Sequence, residues 1–251
     1  MNAQSSLAQF EAEIDEVQGT LLSATTDLTN PLGELVRGQI KRAQPPICGA
    51  TVLAVSYLAG NAAEKSDLRR KRILLAAALE MLNIALNVHR LLVNAALAEP
   101  QPNGDDALDR AFIGSTILAG DYCFSRAAQL AAQTDHPRVV ATFSLALQTV
   151  SEELLREQFH SGNGSGSYDE TRQLLQSGAL AAAQLVGLPE AEQQNAVALS
   201  RELAAQWPRF RHSNDMPNVQ SSNNNSLHTL PANWQILYLW LNRQHANSGL
   251  L

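Results

Sequence analysis

Three carboxylates with the spacing of a magnesium site occur in the chain, at Asp105, Asp106 and Asp109. Carboxylates at positions i, i+1 and i+4 of a helix project from one face, because residues four apart lie above one another. Their oxygens suit Mg²⁺, which takes hard ligands in an octahedral arrangement. The three acids directly follow Pro-Asn-Gly at residues 102–104, and acids in a first helical turn interact favourably with the helix dipole. We therefore interpret this motif as the start of a helix.

Two pairs of neighbouring basic residues stand out, Lys41 with Arg42 and His89 with Arg90. The second pair could bind a diphosphate directly, without a metal ion. Arginine suits phosphate because its planar donors bind two oxygens at once. In the alternative interpretation, the first pair consists of solvated charges at a helix end. The second pair is then a polar lining that contacts an acid such as Asp121 or Glu153.

His89 and Arg90 belong to a long apolar stretch, residues 73–94, that no Gly or Pro interrupts. Ala and Leu dominate this stretch and apolar residues cover more than one face, which predicts a long helix buried at the centre of an all-α domain. Five polar residues break the apolar run, so we expect no transmembrane segment here. They are Glu80, Asn83, Asn87, His89 and Arg90.

Helical periodicity and Pro or Gly breaks divide the rest of the chain into further helices. The predicted segments are residues 10–28, 32–43, 47–58, 105–133, 137–159, 168–186, 189–206 and 231–242. Residues 161–167, rich in Gly and Ser, and residues 213–227, rich in Asn and Ser, are predicted to be loops. We find no strand signal of useful length. The expected architecture is a single all-α domain, residues 1–251, of roughly eight to ten helices around the long central helix.

The composition favours a protein without nucleic-acid or membrane partners. The net charge of −6 disfavours a nucleic-acid binder, which usually presents a basic face. Residues 1–16 are polar and acidic with no apolar core, so we expect no signal peptide and a cytoplasmic location. Cys48 and Cys123 both lie in apolar helical stretches, which predicts two buried thiols rather than a disulfide.

Three segments of the chain are similar to the motifs of one enzyme family. Residues 77–82 read AALEML and precede Val88-His89, residues 117–122 read ILAGDY, and residues 39–45 read QIKRAQP. They resemble the AALELIHTASLIHDDIID, AILAGDY and GGKRLRP motifs of the trans-isoprenyl (polyprenyl) diphosphate synthases. The resemblance covers about residues 32–241, and it implies an isoprenoid-synthase-type helical bundle that is truncated at its C-terminal end relative to the family.

The resemblance implies that the metal-binding positions of the family are altered in this chain. In the family, a DDxxD motif holds Mg²⁺ on the allylic diphosphate, and its matching residues here are Arg90, Leu91 and Asn94. The second aspartate-rich motif is matched by Asn214 and Asp215, so one aspartate of that pair remains. A guanidinium about 5 Å from a divalent ion repels it by roughly 6–7 kcal/mol at an effective dielectric constant of about 20. We therefore expect no catalytic residue, no metal and no cofactor, although the family uses Mg²⁺.

The resemblance also identifies degenerate positions for substrate. It places Lys41 and Arg42 in the loop that holds isopentenyl diphosphate, whereas Gln44 and Leu175 replace an arginine and a lysine that would bind phosphate. A glutamine cannot form the charged bidentate bond of an arginine. Ala85 and Leu86 lie about one turn before the lost motif, where the family controls the depth of its product tunnel. The spacing to the ILAGDY segment also identifies Arg90, and not the acidic motif, as the match to the first family motif. Arg90 lies 30 residues before Gly120, which fits the family, whereas Asp105 lies only 15 residues before it.

The favoured hypothesis is a catalytically inactive family member that acts as a non-catalytic or regulatory subunit of a prenyl diphosphate synthase. Its partner would be a second copy or an intact synthase subunit, because the family is dimeric through helices near Gly120 and Asp121. Candidate contacts are residues 117–130 and 234–241. Trp234 and Trp240 are expected to belong to the core, with a partner interface as the alternative, because Trp is enriched at interfaces.

Two further functions remain open. The chain could bind a prenyl or other lipid ligand in the family's tunnel, with Lys41, Arg42 and Arg90 at the head group. It could also be an active prenyltransferase whose metal ligands are displaced. Those ligands would be Asp121, Glu153 and Asp215, with Asp121 otherwise a structural helix residue.

Overall fold

The computed structural model describes residues 3–64, 66–97, 106–159, 169–212 and 231–248. Over these ranges the chain forms nine α-helices and no strand. The helices are α1 (Ala3–Ser23), α2 (Leu32–Arg42), α3 (Ile47–Ser56), α4 (Ser66–Leu97), α5 (Asp106–Ala132), α6 (Pro137–Phe159), α7 (Glu170–Leu185), α8 (Glu190–His212) and α9 (Ala232–Ser248). A 3₁₀ segment, Tyr57–Glu64, follows α3. The prediction of an all-α bundle around a long central helix is confirmed.

The predicted helix bounds hold best where proline limits the helix. Helix α6 begins at Pro137 as predicted, since proline is tolerated at the first helical position, where its missing N–H is not needed. Helix α8 continues beyond the predicted end at Gln206, through Pro208, to His212. The acidic motif forms the first turn of α5 from Asp106 onward, in agreement with its interpretation as a helix start. The two predicted loops, residues 161–167 and 213–227, lie outside the described residues.

One hydrophobic core contains residues from all nine helices, with α4 at its centre. Helix α4 packs against α1, α3, α5 and α7. Cys48 and Cys123 are buried free thiols, as predicted. Trp234 and Trp240 are each only 1% exposed, so both belong to the core rather than to a surface available for a partner.

One segment of the described residues, Ser66–Leu92 in α4, is long and apolar enough to cross a membrane by length and composition. Within its most apolar window, 78% of the residues are buried by the other helices. Such burial is typical of the core helix of a helical bundle, because a membrane helix would instead turn apolar side chains outward.

A buried ion pair attaches α4 to α1. The Nε of Arg72 donates to the Oε2 of Glu13 at 2.9 Å, and a second guanidinium nitrogen donates to the other carboxylate oxygen. Both side chains are fully buried. Arg69 adds a contact, with its Nε 3.2 Å from the Oε1 of Glu13. Because a buried charge is costly unless it is paired, these contacts determine the position of α1 along α4.

A second buried carboxylate, that of Glu80, supplies the cap that α3 lacks. Helix α3 follows Pro46 and has no side-chain cap at its own N-terminus. The Oε1 of Glu80 accepts the N–H of Gly49 at 3.0 Å, and its Oε2 accepts from the Nδ2 of Asn83 at 3.4 Å. One of the free N–H groups in the first turn of α3 is thereby satisfied. Burial raises the pKa of Glu80 to about 7, although these hydrogen bonds oppose the increase.

His89 lies at a close contact between α4 and α5. Its ring stacks on Phe124, with centroids 5.1 Å apart and planes inclined by 21°. A Cβ atom placed on Gly120 would lie 2.3 Å from the Nε2 of His89. That Nε2 is buried without a hydrogen-bond partner and lies 3.6 Å from the Oδ1 of Asp121. Burial lowers the pKa of His89, and the Asp121 charge only partly compensates.

The raised pKa of Glu80 predicts a loss of stability as the pH increases. Between about pH 4.5 and 7 the folded chain keeps a proton on Glu80 that the unfolded chain releases. The free energy of unfolding of the wild type, relative to that of Glu80→Gln, should therefore fall by about 3 kcal/mol over this interval. Urea unfolding of both proteins at several pH values measures the difference. A difference that is constant with pH would contradict this prediction.

The close approach at Gly120 predicts that a methyl group there is not tolerated. Gly120→Ala should lower the free energy of unfolding by about 1–3 kcal/mol, because the stacked ring of His89 has to move. Gly114→Ala is the matched control in the same helix, since no atom lies within 4 Å of its added Cβ. It should gain about 0.5–1 kcal/mol from higher helix propensity. Adding His89→Ala to Gly120→Ala should restore part of the loss. Equal stability of Gly120→Ala and Gly114→Ala would refute the clash.

Candidate functional site

A cleft of about 250 Å³ lies where the ends of several helices meet. Helix α2, the turn that follows it and the first residue of α3 form one side, and α4, α7 and α8 form the other. The lining residues are Gln39, Arg42, Ala43, Gln44, Pro45, Ile47, Asn83, Asn87, Arg90, Leu91, Glu170, Thr171 and Trp207. The structure thus brings together four positions that were identified from the sequence, Arg42, Gln44, Arg90 and Leu91.

Helix α4 contributes one stripe of side chains to the cleft. Asn83, Asn87, Arg90 and Leu91 follow the spacing i, i+4, i+7 and i+8, which places them on a single helical face. Asn83 and Asn87 are half-buried, and Arg90 is exposed. In the sequence the two asparagines were identified only as polar interruptions of an apolar run, although their spacing relative to Arg90 could have indicated a shared face.

Arg90 is ion-paired with Glu170, which also lines the cleft. A guanidinium nitrogen of Arg90 donates to the Oε2 of Glu170, which lies in the first turn of α7. The Arg90 side chain is 51% exposed and the Glu170 side chain only 11% exposed. Of the two acids predicted to contact His89 or Arg90, Asp121 lies beside His89, whereas Glu153 pairs with Arg156 in α6. The sequence analysis did not identify Glu170.

The other wall of the cleft carries the amide of Gln44 and the guanidinium of Arg42. The Gln44 amide is held in place, accepting from the Nε2 of Gln18 at 2.8 Å and donating to the carbonyl of Ile40 at 3.2 Å. Arg42 is exposed at the rim. Lys41 is exposed next to it and is not among the lining residues described above, which is what the solvated-charge interpretation expects.

The remaining predicted site residues either lie away from the cleft or are not described by the structure. His89 faces α5. Ala85 and Leu86, assigned to the tunnel, are buried in the core, as is Leu175 at the former lysine position. The backbone of Asn94 lies in α4, but the structure does not describe its side chain. Asn214 and Asp215 lie outside the described residues.

The described residues that the resemblance matches to the first metal motif do not fit Mg²⁺. A guanidinium and an aliphatic side chain, from Arg90 and Leu91, offer no oxygen ligand. Within the described ranges, no group of three acidic, His or Cys side chains is placed to share a metal ion. The cleft instead combines two arginines, one carboxylate and several amides, a set of groups suited to polar or anionic ligands.

Solved structures of prenyl diphosphate synthases have the same fold. A decaprenyl diphosphate synthase from Rhodobacter capsulatus superposes with a TM-score of 0.66 over 82% of this chain, at 19% identity. A polyprenyl synthase from Caulobacter crescentus, solved with calcium and isoprenyl diphosphate, gives 0.64 over 84% at 17% identity. A geranylgeranyl pyrophosphate synthase from Lactobacillus brevis gives 0.65 over 99% at 13% identity.

The matches extend over unequal shares of these proteins. This chain spans 64% of the length of the first two structures and 88% of the third. Neither a protein-family profile nor a curated protein sequence matches the chain. The likeness therefore concerns the three-dimensional structure, and it agrees with the motifs found in the sequence. We conclude that this chain has the all-α fold of the trans-prenyl diphosphate synthases.

Proposed function

We propose that this chain is a polyprenyl-synthase-like protein without chain-elongating activity and acts as a non-catalytic or regulatory subunit of an intact prenyl diphosphate synthase. One observation supports the proposal: Arg90, which the resemblance matches to the first motif aspartate, lines the cleft and is ion-paired with Glu170. A family enzyme needs carboxylates there, because bound metal ions neutralise the charge that develops on the departing diphosphate. A cation in that position opposes the same ions.

Replacements at two further positions point in the same direction. Gln44 stands where the resemblance expects an arginine, and its amide is already bonded to Gln18 and Ile40. Leu175 stands where it expects a lysine and is fully buried in the core. Loss of several phosphate contacts together favours a change of function over a minor variation of mechanism.

The exposed apolar residues of α5 support a role in assembly. Phe112, Ile113, Ile117 and Leu118 are between 42% and 61% exposed. Exposed apolar clusters of this kind are typical of protein contacts. The alternative contact segment, residues 234–241, is mostly buried, with Leu239 exposed at 47%. We therefore place the proposed subunit contact on α5, with either a second copy or an intact synthase as the partner.

A lipid-binding function is the second candidate. Leu86 lies one turn before Arg90 on α4, so an apolar chain that entered from the cleft would reach the core directly behind the cation. Native mass spectrometry of the purified chain distinguishes the two candidates. A retained prenyl lipid supports the binding protein, and a co-purified synthase subunit supports the proposed subunit.

The proposal predicts association through α5. Co-expressed with a synthase from the same organism that carries both aspartate-rich motifs, the chain should co-purify with it. Ile117→Glu and Leu118→Glu should each weaken the complex at least tenfold, because a charge would be buried against an apolar partner. Leu22→Glu, at a similarly exposed leucine of α1, is the matched control and should leave the affinity unchanged.

Activity measurements complete this test. The chain alone should form no elongated product from isopentenyl and allylic diphosphates with Mg²⁺, whereas its addition to the intact subunit should change product length or stability. Any elongated product from the isolated chain would favour the third hypothesis, an enzyme with displaced metal ligands. A stable monomer that ignores such synthases would contradict the subunit proposal.

A further inference from the structure

Two arginines and one carboxylate line the cleft, and the carboxylate is ion-paired with one of the arginines. Glu170 is largely buried and lies next to Asp169, whose Oδ1 accepts the N–H of Arg172 at 3.0 Å and caps α7. This cap fixes the first turn of α7, so the Glu170 side chain is presented to the cleft from a rigid element. Arg42 lines the same cleft from the opposite wall.

The Arg90–Glu170 pair has the features of a contact that can exchange. Arg90 is half-exposed, so its guanidinium stays accessible to water and to solutes while it is paired with the largely buried Glu170. A phosphate-bearing anion carries more charge than a carboxylate and binds arginine through two parallel hydrogen bonds. Such an anion in the cleft would therefore compete directly with Glu170 for the guanidinium.

We propose that Glu170 is an autoinhibitory group that keeps the cleft closed to anions. Its carboxylate engages Arg90, and a phosphate or diphosphate group enters without metal by displacing it, with Arg42 as the second cation. The inference rests on the proposed function, because it requires that the first-motif positions hold no Mg²⁺. The cleft is thereby a regulated anion site, in which the state of one ion pair determines occupancy.

Isothermal titration of the full chain with inorganic pyrophosphate, in EDTA and at low salt, tests this inference. Glu170→Gln keeps the shape of the side chain but removes its charge, and it should bind pyrophosphate at least tenfold more tightly than the wild type. Adding Arg42→Ala or Arg90→Gln should abolish the gain. If Glu170→Gln does not fold, Glu170→Asp serves instead, since its shorter side chain withdraws the carboxylate from Arg90.

Glu153→Gln is the matched control, because it also releases an arginine, Arg156, from an ion pair but lies on α6 outside the described cleft lining. It should bind pyrophosphate like the wild type. Equal affinities of the wild type and Glu170→Gln, or an equal gain in Glu153→Gln, would overturn the inference.

Two further titrations identify the source of the bound group and test the proposed function separately. Tighter binding of farnesyl diphosphate than of pyrophosphate by Glu170→Gln identifies a lipid-borne group, and equal binding identifies a free one; either supports the inference. Pyrophosphate binding by the wild type only with Mg²⁺ would contradict the proposed function. The comparison of Glu170→Gln with the wild type in EDTA would still decide whether Glu170 keeps anions out of the cleft.

Discussion

Helix α4 has to bury most of its circumference, and the rest of the fold depends on this requirement. A helix that is apolar on several faces is stable only when other helices cover it, and α1, α3, α5 and α7 do so. Its buried polar groups also need partners, because an unpaired buried charge is strongly destabilising. Arg72 therefore meets Glu13 on α1, and Glu80 accepts an N–H group at the start of α3. These contacts determine which helices surround α4 and at what height they lie.

The cleft exists because the burial of α4 is incomplete towards its C-terminal half. Asn83 and Asn87 are half-buried and Arg90 is exposed, whereas Ala85 and Leu86 on the inner faces are buried. Carboxylates on the exposed stripe would attract a divalent cation, and the guanidinium of Arg90 reverses the sign of that interaction. The group that meets this arginine is therefore an anion, and in the folded chain that anion is the carboxylate of Glu170.

One side of helix α5 contacts α4 and the end of α1, and another side is exposed. Gly120 permits the close contact with α4. The hydroxyl of Tyr122 and the Nε of Arg126 both donate to the carbonyl of Ala24 near the end of α1, at 2.8 and 2.9 Å. These contacts determine the rotation of α5 about its axis. Its exposed apolar residues consequently face away from the described helices, and their burial against another surface would be favourable.

The sequence by itself determined the helices of this protein, because proline, glycine and apolar periodicity act over short distances. It also indicated, through its motifs, that Arg90 and Leu91 belong to the same region as Arg42. The tertiary structure alone decided the surroundings of those residues. His89 and Arg90 are neighbours in sequence, yet successive residues of a helix point about 100° apart, so one contacts α5 and the other lines the cleft. Glu170 is 80 residues from Arg90, and only the packing of α7 against α4 brings its carboxylate to the guanidinium.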